Sequence, residues 1–180
     1  MIYVFLANGF EEVEAFAPVD LMRRAGLNVQ TVGVGGRTVT GSHGICTVAD
    51  LADTELNLQA EPAQLVVLPG GLPGTTNLEA SEIVHQAVDT CLAQGGYVGA
   101  ICAAPSVLGH WGILKGHTAV CYPWFESELG CALGDASVVQ SGKITTAKGA
   151  GVAIDFGLQL VSVLCGPEKA AQIRSAIQCP

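Results

Sequence analysis

The chain has 180 residues, of which 49% are hydrophobic and only 13% are charged, so we expect a single domain over residues 1–180 with a sizeable core. Its net charge of -8 argues against nucleic acid or an anionic membrane surface as a partner. No apolar run is long enough to span a bilayer, and the seven cysteines include no CxxC pair, which argues against a zinc site or a complete disulfide framework. Reduced thiols and a cytoplasmic location are the expectation.

Short apolar segments alternate with longer segments of helical pattern. Continuous apolar runs are typical of strands covered on both faces, and they predict strands over residues 2–7, 29–34, 65–68, 97–101, 118–121, 137–140 and 144–146. Helical spacing predicts helices over residues 10–24, within 77–94, from 103 onward, and over 125–129, 149–164 and 167–177. Residues 37–50 are expected to form a short hairpin. The alternation indicates an α/β fold, a three-layer sandwich on a mostly parallel central sheet.

Cys102 follows directly after the predicted strand 97–101. The next residues, Ala103, Ala104 and Pro105, are expected to begin a helix, because proline is tolerated in a first helical turn. A cysteine at such a turn lies at the positive end of the helix dipole, which favours the thiolate. A buried structural thiol is the alternative, but the strand-to-helix turn favours a reactive cysteine.

Glu14 is the candidate partner of this thiol. Its neighbours in the sequence are apolar, and on a helix it shares a face with Leu21, whereas Glu11 and Glu12 are expected to point more to solvent. A carboxyl group at a dry helix–sheet junction has a raised pKa, so it can donate a hydrogen bond to a thiolate and later move a proton. A surface carboxylate beside a short apolar stripe is the alternative.

A glycine-rich loop that contains Gly70 and Gly71 follows the predicted strand 65–68. Glycine lets backbone N–H groups approach a ligand closely. The amides of Gly71 and Ala103 are therefore candidates for an oxyanion hole around a carbonyl attacked by Cys102. A tight turn after a buried strand would explain the same glycines.

Four motifs along the chain resemble a known family. They are Gly9-Phe-Glu-Glu-Val-Glu14, Pro18-Val-Asp-Leu-Met-Arg-Arg-Ala-Gly26, Leu68-Pro-Gly-Gly71 and Ala100-Ile-Cys-Ala-Ala-Pro105. In this order and spacing they are similar to the ThiJ/PfpI family, and most to the branch of the parkinsonism-associated protein deglycase and its bacterial relatives. The resemblance covers essentially the whole chain.

The resemblance implies a flavodoxin-like fold, a homodimer, and no metal or organic cofactor. Cys102 matches the family nucleophile, and Glu14 matches the protonated glutamate beside it. Gly71 and Ala103 match the amides that bind an oxyanion. Arg24 matches an arginine near the dimer interface of that branch.

Three positions depart from the family pattern. Ala103 stands where the protease-like branch has a histidine, so a peptidase is not indicated. Tyr122 stands where the parkinsonism branch has a histidine; its hydroxyl can donate a hydrogen bond but is a poor general base near neutrality. A second arginine of that branch's anion site is replaced near His43. The expected substrate-binding residues are Gly70, Gly71, Ala103, Arg24 and Tyr122.

The leading hypothesis is an enzyme that detoxifies 2-oxoaldehydes such as methylglyoxal without glutathione, or removes early glycation adducts as a protein deglycase. Cys102 would form a hemithioacetal, and Glu14 would shuttle the proton. One alternative is a sensor of oxidative stress or a redox-regulated chaperone that acts through oxidation of Cys102. A weaker alternative is an isocyanide hydratase-like or other hydrolase of the superfamily. The expected partners are a small carbonyl substrate and a second copy of the chain.

Overall fold

Seven strands pair into one central sheet in the computed structural model, which describes residues 1–180. Six of them were predicted as strands, but the seventh, Leu51–Ala52, was not, and the predicted strand 118–121 lies in a separate two-stranded sheet. The strands along the chain are β1 (Ile2–Leu6), β2 (Val29–Gly33), β3 (Thr38–Thr40), β4 (Cys46–Val48), β5 (Leu51–Ala52), β6 (Leu65–Leu68), β7 (Tyr97–Ile101), β8 (Thr118–Ala119), β9 (Ala132–Leu133), β10 (Val138–Ser141) and β11 (Ile144–Ala147). The central sheet has the order β10-β11-β7-β6-β1-β2-β5. Every neighbouring pair is parallel except β10 with β11. The expected mostly parallel sheet is therefore confirmed.

Six α-helices cover the two faces of this sheet: α1 (Glu12–Arg24), α2 (Gly74–Glu79), α3 (Glu82–Ala93), α4 (Pro105–His110), α5 (Ala153–Cys165) and α6 (Pro167–Ala176). Helices α1, α5 and α6 pack on one face, and α2, α3 and α4 pack on the other. Strand β1 is apolar throughout because its side chains pack alternately into two hydrophobic cores, one on each face of the sheet. The α/β flavodoxin-like sandwich of three layers is confirmed. No helix has both the length and the apolar character needed to cross a lipid bilayer.

Several element boundaries differ from those expected from sequence. Helix α2 was not predicted, because its sequence GTTNLE carries no helical apolar spacing. The helix after Cys102 begins at Pro105 rather than at residue 103 and has only six residues. Helix α5 begins at Ala153, after a 3-10 turn over Ala150–Val152, and buries only one side. Strand β8 is half as long as expected, since pairing stops at Ala119.

The predicted hairpin is present as the antiparallel pair β3–β4. Its end nearest the sheet is held by backbone hydrogen bonds from Gly9 N to Thr40 O at 2.8 Å and from Ser42 N to Phe10 O at 2.7 Å. The hairpin therefore lies against the segment that leads into α1. That segment, the loop after β6 and the residue after β7 all lie at the carboxyl edge of neighbouring parallel strands, which is where ligands bind in such sheets.

Candidate active site

Cys102 occupies a strained turn directly after β7. Its backbone has φ of 64°, the left-handed region that residues other than glycine seldom adopt. Two backbone hydrogen bonds hold it there: Cys102 N donates to Ala147 O at 2.9 Å, and Tyr122 N donates to Cys102 O at 2.8 Å. Such strain persists only where surrounding structure imposes it, and it is concentrated at functional sites. The side chain remains partly accessible to solvent.

Glu14 lies in the first turn of α1 and brings a carboxyl group to the same place. Only 1% of the residue is exposed. Its Oε2 accepts a hydrogen bond of 2.9 Å from Gly70 N, and the carboxyl also accepts one from the amide of Ala150. The carboxyl and the Cys102 side chain are hydrogen-bonded to each other. The acid on α1, which follows β1, and the thiol after β7 therefore meet across β6, the strand that lies between β1 and β7 in the sheet.

The two groups share a proton. Burial, opposed in part by the hydrogen bond with Cys102, raises the pKa of Glu14 to about 7. Burial and the negative charge of Glu14 raise the pKa of the Cys102 thiol to about 12. Between these two values the pair holds one proton, which lies either on sulfur or on the carboxyl. The start of the helix does not by itself keep Cys102 as a thiolate, because burial and Glu14 oppose the charged form; a thiolate forms here when its proton passes to Glu14, which gives the expected pair of a thiolate and a protonated carboxyl.

Two backbone amides point at the sulfur. The N–H groups of Gly71 and Ala103 donate to it, and both favour its negative form. Gly71 has φ of 89°, and Gly70 leaves no room for a side chain, since a Cβ there would lie 2.6 Å from Cys102 Cβ and 2.7 Å from Glu14 Oε2. Amides in this arrangement are suited to stabilise an oxyanion on an atom bonded to the sulfur.

Comparison with known proteins shows the family of the chain. Residues 1–163 match the model of the DJ-1/PfpI family. The chain belongs to the DJ-1/PfpI family. It is 35% identical to Protein dj-1beta of Drosophila melanogaster, over 97% of this chain and 94% of the relative. It is 33% identical to the Glutathione-independent glyoxalase DJR-1.2 of Caenorhabditis elegans, over 88% of this chain and 85% of the relative. A solved structure described as Toxoplasma gondii DJ-1, oxidized, is similar with a TM-score of 0.93 and 34% identity, covering 98% of this chain and 97% of that chain.

Tyr122 and Arg24, two predicted substrate-binding residues of this DJ-1/PfpI chain, lie in different places. Tyr122 is beside the site, because its amide is bonded to the Cys102 carbonyl and its ring lies against Gly149. Arg24 lies in the last turn of α1, about 15 Å along the helix axis from Glu14, and its Nε donates to Asp20 at 2.6 Å. Within one chain the structure therefore does not bring Arg24 to Cys102.

Glu11 and Glu12 do not point to solvent, and that expectation is wrong. The Oε2 atom of Glu11 accepts a hydrogen bond of 2.7 Å from Glu14 N and so caps α1. The negative charge of Glu11 also helps to raise the pKa of Glu14. Glu12 is buried, with 6% of its surface exposed.

Glu12 joins α1 to the β3–β4 hairpin, a role that sequence reasoning missed. Its Oε2 lies 2.8 Å from His43 Nδ1, and its Oε1 accepts a hydrogen bond of 2.9 Å from His43 N. Burial alone would raise the pKa of Glu12, but these bonds and one from Ile45 N hold the pKa of this carboxyl below its usual range. The contact with Glu12 in turn raises the pKa of His43. Glu11, Glu12 and His43 have potential metal-ligand atoms within 4.8 Å of one another. The hydrogen bonds between Glu12 and His43, and the bond by which Glu11 caps α1, already account for that grouping.

Proposed function

We propose that this chain is a cysteine-dependent enzyme that converts 2-oxoaldehydes into 2-hydroxy acids without glutathione. The observation that carries the proposal is the contact between the buried carboxyl of Glu14 and the partly accessible sulfur of Cys102, with the amides of Gly71 and Ala103 beside that sulfur. A family relative is named as a glutathione-independent glyoxalase, which supports the same chemistry.

The first step would be addition of sulfur to the aldehyde. The Cys102 thiol gives its proton to Glu14, and the thiolate forms a C–S bond with the aldehyde carbon. The electron pair of the C=O bond moves to oxygen, where the amides of Gly71 and Ala103 stabilise the charge. Glu14 returns the proton to that oxygen, which gives a neutral hemithioacetal and a carboxylate.

The second step would be an internal redox exchange between neighbouring carbons. The Glu14 carboxylate removes the proton from the carbon that bears sulfur; the electron pair of that C–H bond forms a C=C bond, and the π pair of the ketone moves to its oxygen, which gives an enediolate. Glu14 then returns the proton to the adjacent carbon, while the hydroxyl proton on the sulfur-bearing carbon passes to the former ketone oxygen, which yields a thioester of a 2-hydroxy acid. Water then cleaves the C–S bond, releasing the acid and restoring the thiol. One aldehyde carbon is oxidised and one ketone carbon is reduced, so no external oxidant or cofactor is consumed.

The test is formation of lactate from methylglyoxal by the purified protein. We expect lactate from the wild type and from Cys46→Ser, which removes an exposed thiol elsewhere. We expect a loss of at least about 100-fold in Cys102→Ser, since a hydroxyl is a much weaker nucleophile under these conditions. Equal lactate from wild type and Cys102→Ser would contradict the proposal. The same pair could also act on early glycation adducts, which the same variants would test with a glycated peptide.

A second candidate function is a response to oxidative stress through Cys102. A partly accessible sulfur beside two amide donors is suited to hold added oxygens, and the related Toxoplasma protein was solved in a form described as oxidized. One hydrogen peroxide would convert the thiolate to sulfenate and release water; a second would convert the sulfenate to sulfinate and release a second water. Mass spectrometry after mild peroxide should find these products at Cys102 before the other six cysteines, and equal oxidation of all seven would exclude this role.

We also propose that the chain forms a homodimer in the cytoplasm. Val13, Ile45 and Ile154 are exposed apolar side chains around the start of α1 and on α5, which packs against it. All seven cysteines are free thiols, which suits a reducing compartment. Sedimentation should give twice the 18.4 kDa chain mass. Val13→Asp should give the monomer, whereas Leu133→Asp, at another exposed apolar position, should not; a wild-type monomer would contradict the proposal.

A further inference from the structure

Tyr122 and Trp124 form an aromatic pair in the segment between β8 and β9. Their ring centroids are 6.2 Å apart, and the ring planes meet at 71°. Trp124 is 83% exposed, the most exposed of the large hydrophobic side chains, and Tyr122 is 42% exposed. Apart from its contact with Tyr122, most of the apolar surface of the Trp124 indole is therefore exposed to solvent.

This pair lies at the mouth of the Cys102 site. Tyr122 N donates to Cys102 O at 2.8 Å, which fixes the tyrosine next to the nucleophile. A Cβ at Gly149 would lie 3.4 Å from Tyr122 Cδ2 and 3.9 Å from Glu14 Oε1. The tyrosine ring and the catalytic carboxyl therefore lie against the same glycine.

The backbone displays the indole outward. Trp124 has φ of 79°, an unfavourable conformation for a tryptophan. Phe125 N donates to Tyr122 O at 3.3 Å, and the Phe125 side chain packs on the hydrophobic core. The turn is thus anchored on both sides of Trp124. Local strain at an exposed aromatic beside a reactive site points to a binding role for the side chain.

We propose that Tyr122 and Trp124 bind an aromatic substituent of the substrate, so that the preferred 2-oxoaldehydes are arylglyoxals. The inference rests on the proposed function and adds its substrate class. The proposal places the substituent of a substrate bonded to Cys102 on the side where the Tyr122 ring lies against Gly149. Aromatic rings gain from edge-to-face and offset contacts with one another, beyond the area that they bury. An anionic substituent is disfavoured, since the chain carries a net charge of -8.

The kinetic test compares two substrates in matched variants. The ratio of kcat/KM for phenylglyoxal to kcat/KM for methylglyoxal is measured in the wild type, Trp124→Ala, Trp124→Phe and Leu133→Ala. We expect the ratio to fall about tenfold in Trp124→Ala and to be largely kept in Trp124→Phe. Leu133→Ala is the control, because it shortens another exposed apolar side chain on β9; its ratio should equal that of the wild type. An unchanged ratio in Trp124→Ala overturns the inference while lactate formation still supports the proposed function.

A binding test separates the two proposals. Cys102→Ala protein, which lacks the nucleophile, is titrated with the products mandelate and lactate, and binding is followed by isothermal titration calorimetry. We expect mandelate to bind at least about fivefold more tightly than lactate, and this preference to disappear in the double variant with Trp124→Ala. If the wild type converts neither aldehyde, the proposed function fails and the substrate assignment fails with it, whereas a loss of the mandelate preference alone overturns only the substrate assignment. A shift of Trp124→Ala from dimer to monomer in sedimentation would overturn it, because the indole would then be buried against a second copy.

Discussion

The amide of Gly70 donates a hydrogen bond of 2.9 Å to Oε2 of Glu14, and this bond fixes the acid from α1 against the loop after β6. The same glycine lies against Cys102 Cβ. One residue without a side chain therefore sets the spacing between the acid and the nucleophile.

Gly70→Ala should separate this pair. The added Cβ would lie 2.6 Å from Cys102 Cβ and 2.7 Å from Glu14 Oε2, closer than side chains approach, so one of the two groups must move. A displacement near 1 Å at a catalytic pair costs about 100-fold in rate, and we expect a loss of kcat/KM of that order for methylglyoxal. Gly151→Ala is the matched control, since a Cβ there has nothing within 4 Å. Equal activity of both variants would mean that the spacing is not critical.

The shared proton predicts a pH dependence of activity. The pKa of Glu14 is raised to about 7, and a carboxyl that already holds a proton cannot accept one from the thiol. We expect kcat/KM to rise with pH up to about 7 and then to level off. His43→Gln should keep this profile, which separates Glu14 from the nearby histidine. Glu14→Gln should lower kcat/KM by about 100-fold to 10,000-fold; a Glu14→Gln enzyme with wild-type activity would remove Glu14 from the mechanism.

The same raised pKa predicts a pH dependence of stability. The folded protein binds the Glu14 proton more tightly than the unfolded chain, whose pKa is near the ordinary value of 4.5. The corresponding stabilisation is complete below about pH 4.5 and is lost as pH rises through about 7, a change on the order of 3 kcal/mol. The difference in unfolding free energy between Glu14→Gln and the wild type should therefore grow in favour of the variant over this range. Denaturant unfolding between pH 4.5 and 8 measures it; a difference that stays flat would contradict the assignment.

Removing the carboxylate of Glu12 should loosen the hairpin. Glu12→Gln leaves the buried end of α1 without the charged acceptor of His43, so we expect unfolding free energy at pH 7 to fall by about 1–3 kcal/mol. Glu82→Gln makes the same change in the first turn of α3, where the carboxylate is exposed, and should have little effect. NMR titration supplies a second check: the raised pKa of His43 should drop toward its ordinary value in Glu12→Gln.

The fold was largely predictable because most strands of the central sheet can be recognised in the sequence as short apolar runs. β1, β6 and β7 are continuous runs without a charged residue, and a sheet covered on both faces requires such runs. Helix α2 has no such signature, because GTTNLE begins with residues that are poor helix formers. Helix α2 packs against α3, α4 and β1, and its formation depends on these contacts, which exist only in the folded chain.

The candidate site was partly predictable for a similar reason. Glu14 stands out as a carboxyl among apolar neighbours, and Cys102 as a cysteine that ends a buried strand. The burial of Glu12 could not be inferred, since its partner His43 is 31 residues away and lies on a hairpin whose docking has no local signal. The direction of the Cys102 pKa was missed because the dipole of a six-residue helix is opposed by burial and by Glu14. The burial of Cys102 and its distance from the charge of Glu14 exist only in the folded protein, so the sequence alone does not reveal their effect on the pKa.

The left-handed backbone of Cys102 implies that stability and chemistry conflict at this one position. Glycine adopts φ of 64° without the penalty that any Cβ incurs, which is about 1 kcal/mol. A chain with glycine at residue 102 should therefore unfold less readily than one with alanine there, although both lack the sulfur. The residue that the site most needs is one that the backbone disfavours, and the interior around it must be stable enough to tolerate that strain.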